Sequence, residues 1–488
     1  MAIGLMGGGV LALLLAAPAS AQVALPAQAQ IALPAPTPIA LPAPSPIALP
    51  APGQQPQAID FTADPLLRFL AAESPAEAFR AAIADAVARH PAVGEAEAGV
   101  AAARAGRREV RAGLLPGFSA SIVASRSVAR DFEGNSAIVE GLLPRGRTDA
   151  QVGADQLLFD FGATGGRVAG ASARLRAARA ETARAATATA LAAVEAWYQV
   201  LGFQCGLDLA DALTARHRAI LLDTRARVAA GLGAGGDIAR AEAGLADAIG
   251  AGARQARQLA AVRARYHELF GMAAPARPAR AAAPVSVAGD AAAAVGMSHS
   301  APAVVTALAL AEAARAEARA VRSEALPRLS ARVSAVRYDA FGNGSNYDVR
   351  GQIVLRQSLT MGGAEAARTD AAKARARAAG FASDRVAAEA GRDAEAAFAD
   401  TRILADAVAT LGDAYRANRR SRDTVAEQVR LSRGSLTELL LAEERYFAAA
   451  QALLLGSIER DLASYTLMAR TGELLRLFSI DPDRHEKG

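Results

Sequence analysis

The chain is written twice. Gln156 to Gly271 overlays Gln357 to Gly472 at a constant offset of 201 with no insertion, so that Leu158 falls on Leu359, Gly162 on Gly363, Asp237 on Glu438 and Glu242 on Glu443. Upstream, His90-Pro91-Ala92-Val93 and Leu115-Pro116 match Ala301-Pro302-Ala303-Val304 and Leu326-Pro327 at an offset of 211. A duplication that preserves its spacing over this length predicts two pseudo-equivalent halves of one architecture, not a string of unrelated domains. The halves are expected over 76–271 and 296–475, joined by a linker at 272–295 and followed by a tail at 476–488.

Each half holds a very long stretch without proline, Arg145 to Ala274 and Arg328 to Asp481, rich in Ala, Leu, Arg and Glu. Such composition favours helices. In the second half Leu436, Leu440, Phe447, Leu454 and Ile458 recur at steps of 4, 7, 7 and 4, the spacing of a coiled-coil seam. Glycine clusters break each run near its middle, Gly231, Gly233, Gly235 and Gly236 in the first and Gly434 beside Ser435 in the second. They predict helical hairpins over 162–271 and 362–475. An ascending arm of about 70 residues would span on the order of 100 Å, more than a compact domain needs.

A different period precedes each long helix. Phe118, Ala120, Ile122 and Ala124 alternate with Ser119, Ser121, Val123 and Ser125, and Leu329, Ala331, Val333 and Ala335 with Arg328, Ser330, Arg332 and Ser334. Tyr347, Val349, Gly351, Ile353, Leu355 and Leu359 share one face, with Asp348, Arg350, Gln352, Arg356 and Ser358 on the other. Period two predicts strands at about 117–129, 150–161, 328–339 and 347–360, with Gly342 to Asn346 as a connecting loop. Strands of this length, apolar on one side, suit either a half-buried soluble sheet or a transmembrane β-barrel. Four strands cannot close a barrel in lipid, because each open amide would cost several kcal/mol, so a barrel would have to be shared between chains.

Residues 1–21 contain an apolar run, Val10 to Ala17, and the small-residue pattern Ala19-Ser20-Ala21, which read together as a secretory signal peptide. Within 22–75, Ile-Ala-Leu-Pro-Ala-Pro recurs at a period of eight. Proline at that density predicts an extended linker. No later stretch is long and apolar enough to be a transmembrane helix. The single cysteine, Cys205, leaves no partner for an internal disulfide, and it lies far from the signal, so no N-terminal lipidation cysteine is in view. A net charge of +5 over 488 residues, with arginines interspersed among acids, speaks against nucleic-acid binding. The five histidines, His90, His217, His267, His299 and His485, do not combine with cysteines or carboxylates at metal-ligand spacing, and no nucleophile elbow occurs. No catalytic residue, metal or cofactor is therefore predicted.

The order helix, strand, strand, long helix, glycine turn, long helix, present twice, resembles the TolC family of outer-membrane channel proteins over roughly 76–478. The matching residues are the Leu-Pro pairs that enter the strands, Leu157-Leu158-Phe159-Asp160-Phe161-Gly162 leaving them, and Ser435 to Glu443 after the second turn. The resemblance implies a mainly α protein with transmembrane β structure. In it a homotrimer builds a twelve-stranded barrel in outer-membrane lipid, continued by a periplasmic helical barrel. It also implies a passive exit duct served by a periplasmic adaptor and an inner-membrane ABC or proton-driven pump. The absent lipidation cysteine points to type I protein secretion, with multidrug or metal efflux as the alternative and an exported structural coiled coil as the rival from another class.

Asp237 and Glu438, at one equivalent position after each turn, are the candidate lining of the periplasmic aperture, with Arg240, Arg430 and Arg433 as candidate charge partners. The same residues also read as helix caps, since Ser435-Leu436-Thr437-Glu438 is a capping box. Where other members carry a second acid one helical turn on, this chain has Leu441. The turn residues Gly231, Gly233, Gly235, Gly236, Gly434 and Ser435 are the candidate adaptor contacts. Trp197, Tyr198 and Phe203 are expected to pack between helices, and Tyr338 and Tyr347 are candidates for an aromatic girdle.

Overall fold

The computed structural model describes residues 64–71, 76–129, 146–276, 278–285, 288–341, 346–358 and 362–481. The signal segment, the proline repeats, most of the 342–346 loop and Leu359 lie outside the described residues. Two helices of equal length dominate, α4 (Ala163–Ala229) and α8 (Ala364–Arg430), each 67 residues and each followed by a shorter partner, α5 (Gly235–Phe270) and α9 (Leu436–Arg470). The remaining helices are α1 (Pro65–Ala71), α2 (Ala76–Arg89), α3 (Pro91–Ala112), α6 (Ala291–Ser298), α7 (Pro302–Glu324) and α10 (Leu474–Leu477). The leading helices α3 and α7 both carry proline in their first turn, where its missing N–H costs nothing.

Four antiparallel strands form one sheet in chain order, β1 (Gly117–Arg126), β2 (Gly146–Phe159), β3 (Arg328–Arg337) and β4 (Tyr347–Arg356). Five boundaries differ from the sequence expectation. β2 begins four residues before 150, because Gly146 to Asp149 complete the ladder opposite Val123 to Arg126. It ends at Phe159, where a bulge between Leu157 and Phe159 shifts the register and Asp160 turns back to cap α4. β1, β3 and β4 end two to four residues sooner than expected.

The core is a belt across the helices. Phe79 meets Trp197, Tyr198, Tyr465 and Phe478 edge-on, with ring centroids 5.3–6.3 Å apart, and Tyr266 stacks on Phe270 at 4.0 Å. The segment after α5 straps this belt: Trp197 Nε1 donates to Ala279 O at 3.1 Å and Tyr198 OH to Ala281 O at 2.8 Å. Phe203 packs against the same cluster. Two expected boundaries fail here. The linker predicted to end at 75 contributes Asp64, Leu66 and Phe69 to the interior, and the tail predicted from 476 places Phe478 there. Apolar side chains at both ends of the segment make burial worth more than extension. Similarly, α6 takes up the last residues of the linker predicted over 272–295.

Elsewhere helices approach through small residues. A Cβ on Gly166 would sit 3.0 Å from Ala320 Cβ, and Ala313, Ala316 and Ala320 of α7 are buried against α4. Among the described residues no single helix is long and apolar enough to cross a membrane; α6 and α7 together pass by length and composition, bent by 43°.

Candidate functional site

The two hairpin turns come together at the end of the helices far from the sheet. Each is closed by the same pair of hydrogen bonds: Leu232 N to Arg227 O (2.9 Å) with Gly231 N to Val228 O (3.0 Å), and Arg433 N to Gln428 O (2.8 Å) with Ser432 N to Val429 O (3.0 Å). This is the Schellman arrangement, and it demands a left-handed residue at its apex. Gly231 (φ 71°) fills it in the first turn and Ser432 (φ 58°) in the second. Gly233 and Gly434 occupy equivalent places where an added Cβ would lie 3.1 Å from Val228 Cγ2 and Val429 Cγ2 respectively. Gly235 and Gly236 face open space.

Asp237 and Glu438 sit at the third position of α5 and α9. Glu438 and Ser435 form the full reciprocal box, Glu438 N donating to Ser435 Oγ (3.2 Å) and Ser435 N to Glu438 Oε2 (3.1 Å). Ala234 has no side-chain acceptor, so only the return half exists in the first turn, Ala234 N to Asp237 Oδ2 (3.3 Å). Asp237 also holds Arg240 at 2.6 Å. Arg430 is drawn to Glu427 (2.6 Å), one turn before it, and not to Glu438. The Arg433 side chain has no hydrogen bond or ion pair among the described residues.

What joins the turns is Arg227, which the sequence reading missed. From the last turn of α4 it donates to Val429 O (2.5 Å) and Ser432 Oγ (3.1 Å) at the end of α8, while Asp223 holds it at 3.3 Å. An arginine in a helix's last turn is ordinary, so only the fold reveals that it reaches the other half.

A second polar cluster lies further up the bundle. Glu443 of α9, 1% exposed, receives Arg216 of α4 through Nε at 2.8 Å and through Nη2. His217, beside it, is buried with Nδ1 unpartnered. Burial holds its imidazole below the ordinary pKa, Arg216 adds to that, and Glu443 and Asp247 oppose it. Arg422 stacks 3.9 Å over the Tyr446 ring. Tyr446 and Tyr415 both donate to Asp64 Oδ2, which ties the start of α1 to α8 and α9; burial, then Asp64, pushes the Tyr415 hydroxyl up to about 12. Asp461, fully buried, is shared by Arg280 (2.6 Å) and Arg460 (2.7 Å). Among the described residues no group of three His, Cys, Asp or Glu side chains could hold a metal.

In the sheet, register separates two faces. Phe118 and Ala120 align with Ala154 and Val152, then with Val333 and Ala335, then with Gly351 and Val349, and Ile122 with Ala150, Arg337 and Tyr347, giving one mainly apolar face. Ser119, Ser121, Gly153, Gln151, Ser334, Arg332, Arg350 and Gln352 share the other. Tyr347 ends the apolar face, whereas Tyr338 lies under the Arg147 guanidinium at 5.2 Å, on the polar side. Of the two tyrosines, Tyr347 therefore lies on the apolar face and Tyr338 on the polar one.

Residues 82–271 match the sequence model of the family described as Outer membrane efflux protein. No curated protein matches the chain in sequence. Among solved structures, the Vibrio cholerae outer membrane protein VceC superposes with a TM-score of 0.72 at 17% identity, covering 81% of this chain and 96% of its own. The outer-membrane channel OprN gives 0.72 at 19%, covering 87% and 98%. The open state of the Neisseria gonorrhoeae MtrE outer membrane channel gives 0.66 at 20%, covering 81% and 89%. The first repeat is thus, by sequence, of the outer membrane efflux protein family, and the chain carries the fold of solved outer-membrane channels over 81% to 87% of its length.

Proposed function

We propose that three copies of this chain form a passive exit duct in the cell outer membrane that extends into the periplasm. The observation that carries the reading is the sheet: mainly apolar on one face, with Arg126 and Arg337 only at strand ends away from the helices, and mainly polar on the other, with β1 and β4 both left as open edges. An open edge in hydrocarbon leaves amides unpaired at several kcal/mol each, so the edges must meet copies of themselves. Ten-residue strands at about 3.3 Å per residue, tilted as in membrane barrels, cover an apolar band of about 25 Å. Helices α4 and α8, on the order of 100 Å long, then continue the barrel away from the membrane.

At the far end the turns present Gly231, Gly233, Gly235, Gly236, Gly434 and Ser435 to a periplasmic adaptor. Asp237, Glu438, Arg240, Arg430 and Arg433 surround the aperture there. An inner-membrane ABC or proton-driven pump supplies the energy. Within this role the family's description favours efflux of small compounds, with type I protein secretion as the second reading; export of a secreted protein against export of small toxic compounds by a deletion strain separates the two.

Light scattering of the detergent-extracted protein, run beside membrane fractionation, tests the duct. A trimer in the outer-membrane fraction supports it. A detergent-free soluble monomer or dimer overturns it in favour of an exported coiled coil.

A further inference from the structure

The polar face of the sheet is basic where it meets the helices. Arg328 at the start of β3 stands directly opposite Arg356 at the end of β4, and both are exposed. Like charges directly opposite on a sheet are destabilising, so sheet stability does not account for the pair. Arg332, the next arginine along this face of β3, is neutralised by Asp155 at 2.8 Å. Asp160 attracts Arg328 through space, but its own oxygens are occupied by the Gly162 and Thr164 amides. Arg356 has no hydrogen bond or ion pair among the described residues.

Toward the other end of the face, Arg147 pairs with Asp149 at 2.9 Å and Arg350 with Asp348 at 2.5 Å. The face therefore sets five arginines, Arg147, Arg328, Arg332, Arg350 and Arg356, against Asp149, Asp155 and Asp348, and counting Asp160 still leaves it positive. A neighbouring copy does not correct the imbalance. The strand it would lay beside β4 is its own β1, and Gly117–Arg126 contains no acid. Ser119, Ser121, Ser330 and Ser334 add hydroxyls to this face, among which Val123, Leu157, Val336 and Val354 are the apolar exceptions.

Resting on the trimeric barrel proposed above, we propose that Arg328 and Arg356 of every chain form a cationic ring at the base of the barrel that selects anionic solutes, those bearing carboxylate or phosphate groups. Walls of low dielectric concentrate such a field in a narrow passage. The guanidinium fork matches the oxygens of both groups.

The test places a reporter thiol beside the ring in the full-length protein, with Cys205→Ala removing the native thiol. Val354→Cys lies on the polar face between the arginine level and Gln352, and Ile353→Cys, one residue away, lies on the apolar face. Each is treated in lipid with a sulfonate-bearing and a trimethylammonium-bearing methanethiosulfonate. At Val354→Cys the anionic reagent should gain several-fold over the cationic one relative to a small free thiol. Arg328→Gln with Arg356→Gln should abolish that gain, as should raising salt to about 1 M, where the screening length falls to about 3 Å. A ratio equal to that of the free thiol, unmoved by the two substitutions, overturns the ring while leaving the barrel intact. Failure of the barrel looks different: Ile353→Cys would then react as fast as Val354→Cys with both reagents, and ring and barrel fall together.

Discussion

Glu443 and its equivalent Glu242 are the same residue type at the same place in the duplication, yet one is a buried ion-pair partner and the other holds Arg225 on a half-exposed surface at 2.7 Å. The difference arises because α9 packs on α4 of the other half, so its interior stripe must satisfy whatever α4 presents. Breaking a buried pair from one side strands the other charge, at about 3–5 kcal/mol, whereas replacing both by apolar residues is often neutral. Glu443→Ala should therefore lower the thermal unfolding temperature strongly, and Arg216→Met with Glu443→Leu should recover most of the loss. Equal loss in the single and double variants would mean that packing, not charge, is at stake. His217 adds a pH dependence. Its pKa is lowered in the fold, so the unfolded chain binds the proton first as pH falls: stability is fully present above about 6.5 and is lost below it, at no more than about 1.4 kcal/mol per pH unit. Unfolding midpoints between pH 7.5 and 5.5 should slope in the native chain and flatten in His217→Asn, which carries the residue found at the equivalent position, Asn418. None of these partners was legible in the sequence, because an Arg or Glu every few residues on an Ala-rich helix looks like a solvated face. The leucine seam was read, and its Leu454 and Ile458 are buried, but the buried stripe of α9 also takes in Glu443, Ser457 and Asp461, which the seam does not include.

At the scale of elements the sequence was far more informative. Helix composition, period-two alternation and glycine clusters each report a local preference, and the duplication lets one half check the other. What it could not convey was the cost of the second turn's apex, where Ser432 takes the left-handed conformation that Gly231 adopts freely in the first. A non-glycine residue there costs about 1 kcal/mol or somewhat more. Ser432→Gly relieves that strain but removes the hydroxyl that accepts from Arg227. Ser432→Gly should raise stability by about 0.5–1 kcal/mol in an Arg227→Gln background, where the hydroxyl bond is already gone. In the native background the gain should shrink, because a hydrogen bond from a charged donor is lost with it. Denaturant midpoints of the four proteins form a complete cycle, and a coupling of zero would mean that the Arg227 bond to the Ser432 hydroxyl contributes nothing in solution, leaving the Val429 carbonyl as the bridge between the halves. Strand ends were misjudged for a related reason: β2 stops at Phe159 because Asp160 is committed to capping α4, and alternation alone does not show that commitment.

For the molecule as a whole, one sheet cannot be judged apart from its assembly. All of β1 is exposed in a single chain, Phe118 to 83% and Ile122 to 66%, and on the apolar face Ile353 and Leu355 are exposed to 68% and 69%. Such a surface is untenable in water and appropriate in hydrocarbon, where the same charge should have opposite effects on adjacent residues. Val333 lies midway along β3 on the apolar face and Ser334 follows it on the polar face. Arginine on the lipid side of a membrane barrel costs about 2–4 kcal/mol near the midplane, while lumen positions tolerate it. Three-fold assembly multiplies that cost by three for every duct inserted, enough to shift nearly all of the protein out of the membrane. Val333→Arg should therefore lose heat-modifiable trimer from the outer-membrane fraction, and Ser334→Arg should insert as the native chain does. If both variants inserted equally, the apolar face would not be facing lipid; if both failed, the two faces would not be distinguished by their surroundings, and the sheet would be packed on both sides against protein.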